Sequence, residues 1–180
     1  MISPIVYLYG DKFAPETNLL HFRETLLNGK KVDQKKLAQQ LTFVALISLY
    51  QEKLIDLLLE EGKILFIKTK TAKAKRLKDA KDVEGLEKVL FEQIKNTHGV
   101  NEVVRLALHY DENPWEQITK IVRKIAEKTK LKDAEIEKMF TTYSATIKEI
   151  KTKGELFSKL HEAIREGIEK REEKEESSSE

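Results

Sequence analysis

Leu54-Ile55-Asp56-Leu57-Leu58-Leu59-Glu60-Glu61-Gly62-Lys63-Ile64-Leu65-Phe66-Ile67-Lys68-Thr69-Lys70-Thr71 is the stretch on which the reading of this chain turns. It joins the most apolar part of the sequence to its most basic part. Upstream, Leu37, Leu41, Val44, Leu46, Ile47, Leu49, Leu54, Ile55, Leu57, Leu58 and Leu59 leave little polar face. A helix apolar nearly all round is enclosed by protein, so this segment predicts a central helix, either one long element or two broken near Gln51. Asp33 is placed to cap it, and Glu61-Gly62 reads as its stop signal. Ile64 to Ile67 then forms a short run rich in strand formers, expected as a buried strand that Lys68-Thr69-Lys70-Thr71 continues.

From Lys68 to Lys81 there are seven basic residues, Lys68, Lys70, Lys73, Lys75, Arg76, Lys78 and Lys81, against one acid, Asp79. Such a concentration attracts phosphates, on nucleic acid or on anionic lipid headgroups. A solvated surface loop is the alternative reading of the same residues. No aromatic side chain is interleaved, so base stacking is not expected from this segment. Helix, glycine turn, strand and basic loop in that order permit the recognition helix and wing of a winged-helix unit. They equally permit any helix that feeds a small hairpin.

The flanks add further elements. Ile5 to Tyr9 reads as a short strand closed by Gly10-Asp11, and Thr17 to Leu27 as a first helix ended by Asn28-Gly29. Asp82 can cap a helix from Val83 to Asn96, and Asn101 one from Val103 to Tyr110. Asn113-Pro114-Trp115-Glu116 is the clearest start signal, with Asn at the cap and Pro at the first helical position. Asp133 can cap the next helix, through Ile147, and Gly154 separates it from a last amphipathic helix through Ile168. Residues 169–180 contain no apolar side chain and are expected as a charged, disordered tail.

The 180 residues suffice for one domain, expected over residues 1–168. Charged residues make up 36% and apolar ones 40%, with only 7 Gly and 3 Pro, a mixture that favours helices. The expectation is a mostly α fold, a compact helical domain with a short β-hairpin, in which a winged-helix core is one arrangement. The absence of cysteine excludes disulfides and thiolate chemistry and fits a reducing, cytoplasmic setting. Many charges without cysteine also fit a thermophilic source. A net charge of +2 argues against a generally basic nucleic-acid binder but leaves room for a local patch. No signal peptide or membrane span is read.

The four histidines have no helical metal-ligand spacing, and no nucleotide-binding or nucleophile motif occurs. The chain is therefore read as a non-enzymatic binding or adaptor module, with no cofactor and no metal. A second basic group is Lys120, Arg123 and Lys124, on one side of the helix after Pro114. With Trp115 in the first turn it could grip an anionic headgroup. Ordinary surface charge and a core-anchoring Trp form the plainer reading. The expected anionic-ligand residues are thus Lys68, Lys70, Lys73, Lys75, Arg76, Lys78, Trp115, Lys120, Arg123 and Lys124.

The junction Leu54 to Phe66, the segments Leu86-Glu87-Lys88-Val89-Leu90 and Ile94-Lys95, and Trp115 with Ile121-Val122-Arg123-Lys124-Ile125-Ala126 resemble the Golgi phosphoprotein 3-like family over about residues 41–131. The resemblance implies a peripheral membrane protein that binds phosphoinositide headgroups. Of the family's two helix arginines only Arg123 is matched, with Lys120 at the other position. Its second pocket tryptophan has no counterpart here. Three functions follow as expectations: a peripheral membrane protein on anionic lipid headgroups, a winged-helix nucleic-acid binder on phosphates, and a protein-interaction subunit of a complex.

Overall fold

A computed structural model of the chain describes residues 1–14 and 23–178, with side chains through Arg171. Its centre is helix α3 (Gln34–Gln51), in which Leu41 to Leu49 are buried without exception. Asp33 caps it, accepting a hydrogen bond from Lys36 N at 3.0 Å. Around it pack α1 (Ser3–Leu8), α4 (Gly85–Phe91), α6 (Pro114–Ala126), α7 (Asp133–Lys151) and α8 (Leu156–Ser178). The fold is mostly helical with two small antiparallel sheets. One pairs β1 (Arg23–Thr25) with β2 (Lys31–Asp33). The other has the order β3-β4-β5, formed by Ile55–Ile64, Ile67–Arg76 and Thr97–Gly99. The short helices α2 (Gly10–Phe13) and α5 (Val100–Ala107) complete the described elements.

The decisive departure from the sequence reading lies at the end of α3. The helix stops at Gln51, and Ile55 to Leu59 belong to a strand. Lys53 adopts φ 54°. Lys53 N donates to Tyr50 O, and Leu54 N donates to Leu49 O, both at 3.0 Å. This is a Schellman stop, with lysine in the left-handed position that glycine usually fills. Beyond it, Ile55 and Leu57 are buried while Asp56 and Leu58 are only part-buried, so the leucine run serves one face of a strand. Across the ladder Leu57 faces Ala74 and Leu59 faces Ala72, and both alanines are buried. This inner half of the hairpin rests on α5 and α8.

Other expectations shift for local reasons. Ile5 to Tyr9 is not a strand: α1 starts at Ser3 with Pro4 in its first turn, and Ile5, Val6 and Tyr7 are buried. The first half of the expected 17–27 helix lies outside the described residues. Its second half is β1 and a turn in which Gly29 takes φ 81°. The helix expected over 83–96 shortens to α4, and Asn101 lies inside α5 rather than at its cap. Asn113 does cap α6, its Oδ1 accepting from Trp115 N at 3.0 Å and Glu116 N at 3.2 Å. Residues 169–178, expected as disordered, continue α8. Arg171 is buried there, donates to the Arg105 carbonyl and stacks 3.7 Å from the Tyr110 ring centroid.

Candidate functional site

The hairpin β3–β4 extends well past the body. Its register runs without a break from Ile55↔Arg76 to Ile64↔Ile67, closed by the two-residue loop Leu65-Phe66. From Glu60 to Lys68 every residue is exposed. At the end, Ile64, Leu65, Phe66 and Ile67 are 67%, 86%, 100% and 69% exposed. The buried strand expected there is thus the most solvent-exposed apolar group among the described residues. Single exposed apolar side chains are ordinary, but four consecutive ones are a patch that needs a partner.

Three departures from local rules coincide within these few residues. The first is that apolar cluster in water. The second is Leu65 at φ 58°, a backbone state that costs a branched side chain roughly 1–2 kcal/mol and that hairpin loops normally give to Gly or Asn. The third is Lys63 directly opposite Lys68 in the ladder, a like-charge cross-strand pair and therefore repulsive. Neither lysine has an ion-pair partner among the described residues. Folding gains nothing from any of the three, and such concentrations of local conflict mark functional sites.

Registered partners in an antiparallel ladder share a face. Lys63 and Lys68, with Glu61 and Lys70 one step inward, therefore lie on one side of the arm. Ile64 and Ile67, with Gly62 and Thr69, lie on the other. A cleft of about 370 Å³ is lined by these same residues, Glu61, Gly62, Lys63, Lys68, Thr69 and Lys70. The arm thus carries an apolar end, a collar of lysines behind it, and no side chain at Gly62.

The ten expected anionic-ligand residues do not form one site. Lys70 pairs with Glu155 at 3.5 Å, and Lys73 with Glu60 at 3.9 Å. Arg76 is a packing residue: its guanidinium sits 4.1 Å from the Phe91 ring centroid, bonds the Ile94 carbonyl and meets Asp79 at 3.3 Å. Lys75 is exposed on β4 and Lys78 in the loop that follows.

The second basic group divides. Trp115 is a core residue, 2% exposed, with its indole N–H unpartnered, so it offers no surface to a headgroup. Arg123 is occupied. It donates to Glu127 at 3.2 Å and to the Thr25 carbonyl at 3.1 Å, and it lies 3.5 Å from Glu24. The Glu127 hydrogen bond, followed by the charge interactions with Tyr7 and Glu24, holds its pKa above the ordinary arginine range. Glu24 also accepts from the Tyr7 hydroxyl at 2.7 Å and from Gln34 at 3.2 Å. Burial, then the Glu24 bond, pushes the Tyr7 phenol far up, so it stays a donor. This network fastens β1 to α1, α3 and α6. Lys120 and Lys124 line a separate shallow cavity of about 250 Å³ beside His109 and Glu112. No hydrogen bond or ion pair among the described residues joins Arg123 to the hairpin lysines.

Two further titratable groups are withdrawn from solvent, Glu87 fully and His161 in part. Glu87 is 1% exposed, its Oε1 accepting from Ser3 N at 3.3 Å, and burial raises its pKa. His161 stacks on Phe43 with centroids 4.1 Å apart and meets Phe157 edge-on, and burial lowers its pKa, with Lys151 adding to the effect. Among the described residues, no three His, Asp or Glu side chains are grouped to hold a metal ion. No described helix is long and apolar enough to cross a membrane.

The residues that sequence reasoning missed are Ile64 to Ile67 as a surface. Lysines stand immediately on both sides, at Lys63 and Lys68, but charges flank buried strands as well, so no local signal marks the run as exposed. No family model, no curated protein and no solved structure matches the chain.

Proposed function

We propose that this protein is a non-enzymatic binding module that docks on anionic membrane surfaces through the end of its β3–β4 hairpin. The observation that carries the reading is the exposed Ile64-Leu65-Phe66-Ile67 tip with Lys63 and Lys68 directly behind it. An apolar end that enters the acyl boundary and cations held at headgroup depth are the two components of interfacial binding. Phosphates between Lys63 and Lys68 would also relieve the repulsion between them. The likeness to the Golgi phosphoprotein 3-like family favours the same class of partner through a different surface. Because Arg123 and Trp115 are engaged internally, the reading rests on the hairpin and not on a headgroup pocket at α6.

The winged-helix reading has less support. The helix before the hairpin, α3, packs against six other helices and is buried from Leu41 to Leu49, so that stretch is not free to enter a DNA groove. Sedimentation with vesicles of mixed phosphatidylserine and phosphatidylcholine, against phosphatidylcholine alone, tests the proposal. Binding to the anionic vesicles that weakens as salt rises is the expected result. A protein that stays in the supernatant with anionic vesicles at low salt overturns it.

A further inference from the structure

The tip is one feature of the arm, and its long free edge is another. In the sheet order β3-β4-β5, β3 is an edge strand of ten residues. Its outer part, Glu60 to Ile64, is exposed throughout and pairs on one side only, with β4. An exposed edge of this kind is a template for another strand. It has no proline and no bulge to block pairing, and its ladder to β4 is continuous.

The sequence of the edge selects a partner. Two copies of one strand related by a two-fold axis pair antiparallel, with one residue opposite itself at the centre. Centring on Glu60 or Glu61 sets glutamate against glutamate, and centring on Lys63 sets lysine against lysine. Centring on Gly62 sets Glu61 of each copy against Lys63 of the other. Both residues lie on the same face of the strand, so the two opposite-charge pairs form directly across the junction. At the axis itself glycine meets glycine, and no side chain obstructs the approach. Within the exposed part of β3, this register opposes no like charges and pairs Glu61 with Lys63 twice, while Glu60, which meets Lys73 of its own chain, faces Ile64. In it, the Leu65-Phe66 loop of each copy arrives over Leu58 and Leu59 of the other, which are only part-buried.

We infer that the outer edge of β3 pairs with the same edge of a second copy, antiparallel and centred on Gly62, in a dimer that covers the apolar tips. Pairing and membrane docking then use the same tip in alternative states. That consequence rests on the membrane reading, whereas the pairing itself does not.

Light scattering coupled to gel filtration, over a series of protein concentrations without lipid, reads the mass directly against 20.9 kDa for one chain. Wild type is expected to move towards twice that mass as concentration rises. Glu61→Lys alone and Lys63→Glu alone each create like-charge pairs and should remain single chains at the same concentrations. The double variant Glu61→Lys/Lys63→Glu restores opposite charges and should regain the dimer. Both sites are exposed, and unchanged thermal unfolding of the three variants confirms that they fold. A wild type that stays a single chain at the highest concentration overturns the inference. So does a dimer indifferent to the single reversals, or a double variant that remains a single chain. Vesicle sedimentation of wild type and Glu61→Lys, which both keep Lys63 and Lys68, separates the two readings. A wild type that dimerises without lipid, together with a Glu61→Lys variant that stays a single chain with its tip free yet ignores anionic vesicles, keeps the pairing and removes the membrane proposal. Vesicle binding by a wild type that stays a single chain at every concentration does the reverse.

Discussion

Replacing Phe66 by serine separates a binding role from a folding role, because the side chain is 100% exposed and gives the folded state no packing to lose. Fully burying a phenylalanine contributes about 1.5–3 kcal/mol. If the tip enters the acyl boundary, Phe66→Ser should therefore weaken partitioning by about 2 kcal/mol, roughly 30-fold. The melting temperature should not move. Lys68→Ala provides the contrast. A cation near an anionic surface contributes about 1 kcal/mol, roughly 5-fold in partitioning, and that loss should vanish at high salt. The loss from Phe66→Ser should persist, since apolar transfer is not screened. Vesicle sedimentation over a lipid titration, repeated at low and high salt, measures both. Equal partitioning of Phe66→Ser and wild type refutes insertion of the tip. A loss that follows a fall in melting temperature refutes the claim that the tip is idle in folding.

Leu65→Gly should raise stability by roughly 1 kcal/mol, because glycine relieves the positive-φ penalty at this position, and chemical denaturation of the two proteins tests this. The same substitution should weaken vesicle binding, so stability and binding move in opposite directions. Glu87→Gln should stabilise the protein at neutral pH. The folded-state pKa of Glu87 is raised by burial, so stability falls as pH rises from the unfolded value of 4.5 through the folded one. The glutamine variant lacks that fall, and its advantage should vanish in denaturation curves recorded below about pH 4.5. His161 runs the other way. Its folded pKa is depressed, so its contribution is complete above about pH 6.5 and is lost as pH falls through the folded value. His161→Phe, which keeps the stack on Phe43, should flatten that acid limb in melting curves taken over the same range.

Some of this molecule is written locally. Asp33 and Asn113 are caps whose side chains bond the amides that a cap must satisfy, and such bonds span two or three residues. The amphipathic run of Leu156, Leu160, Ile164 and Ile168 is likewise readable, since the spacing alone defines a helix face, and all four residues are buried. The helical character of the chain, the enclosure of α3 and the presence of a hairpin near Ile64 to Thr71 were legible for these reasons.

What the sequence could not decide is where α3 ends and which way its apolar continuation faces. Leucines at 57, 58 and 59 satisfy a helix and a strand equally, and the stop at Lys53 uses a residue with no turn signature. Only the tertiary structure chose. Ala72 and Ala74 on the neighbouring strand, and α8 beneath, give Ile55 and Leu57 a surface that suits a strand's alternation. That choice carries the next four apolar residues away from the core, so a run with a core composition becomes an exposed tip. The same packing took Arg123 and Trp115 out of the candidate site, since Glu24 and Thr25 reach Arg123 from nearly a hundred residues away in sequence. Composition determined that this chain has a helical core and a basic segment. The end of one helix, fixed by its neighbours, decided which apolar residues are left for a partner.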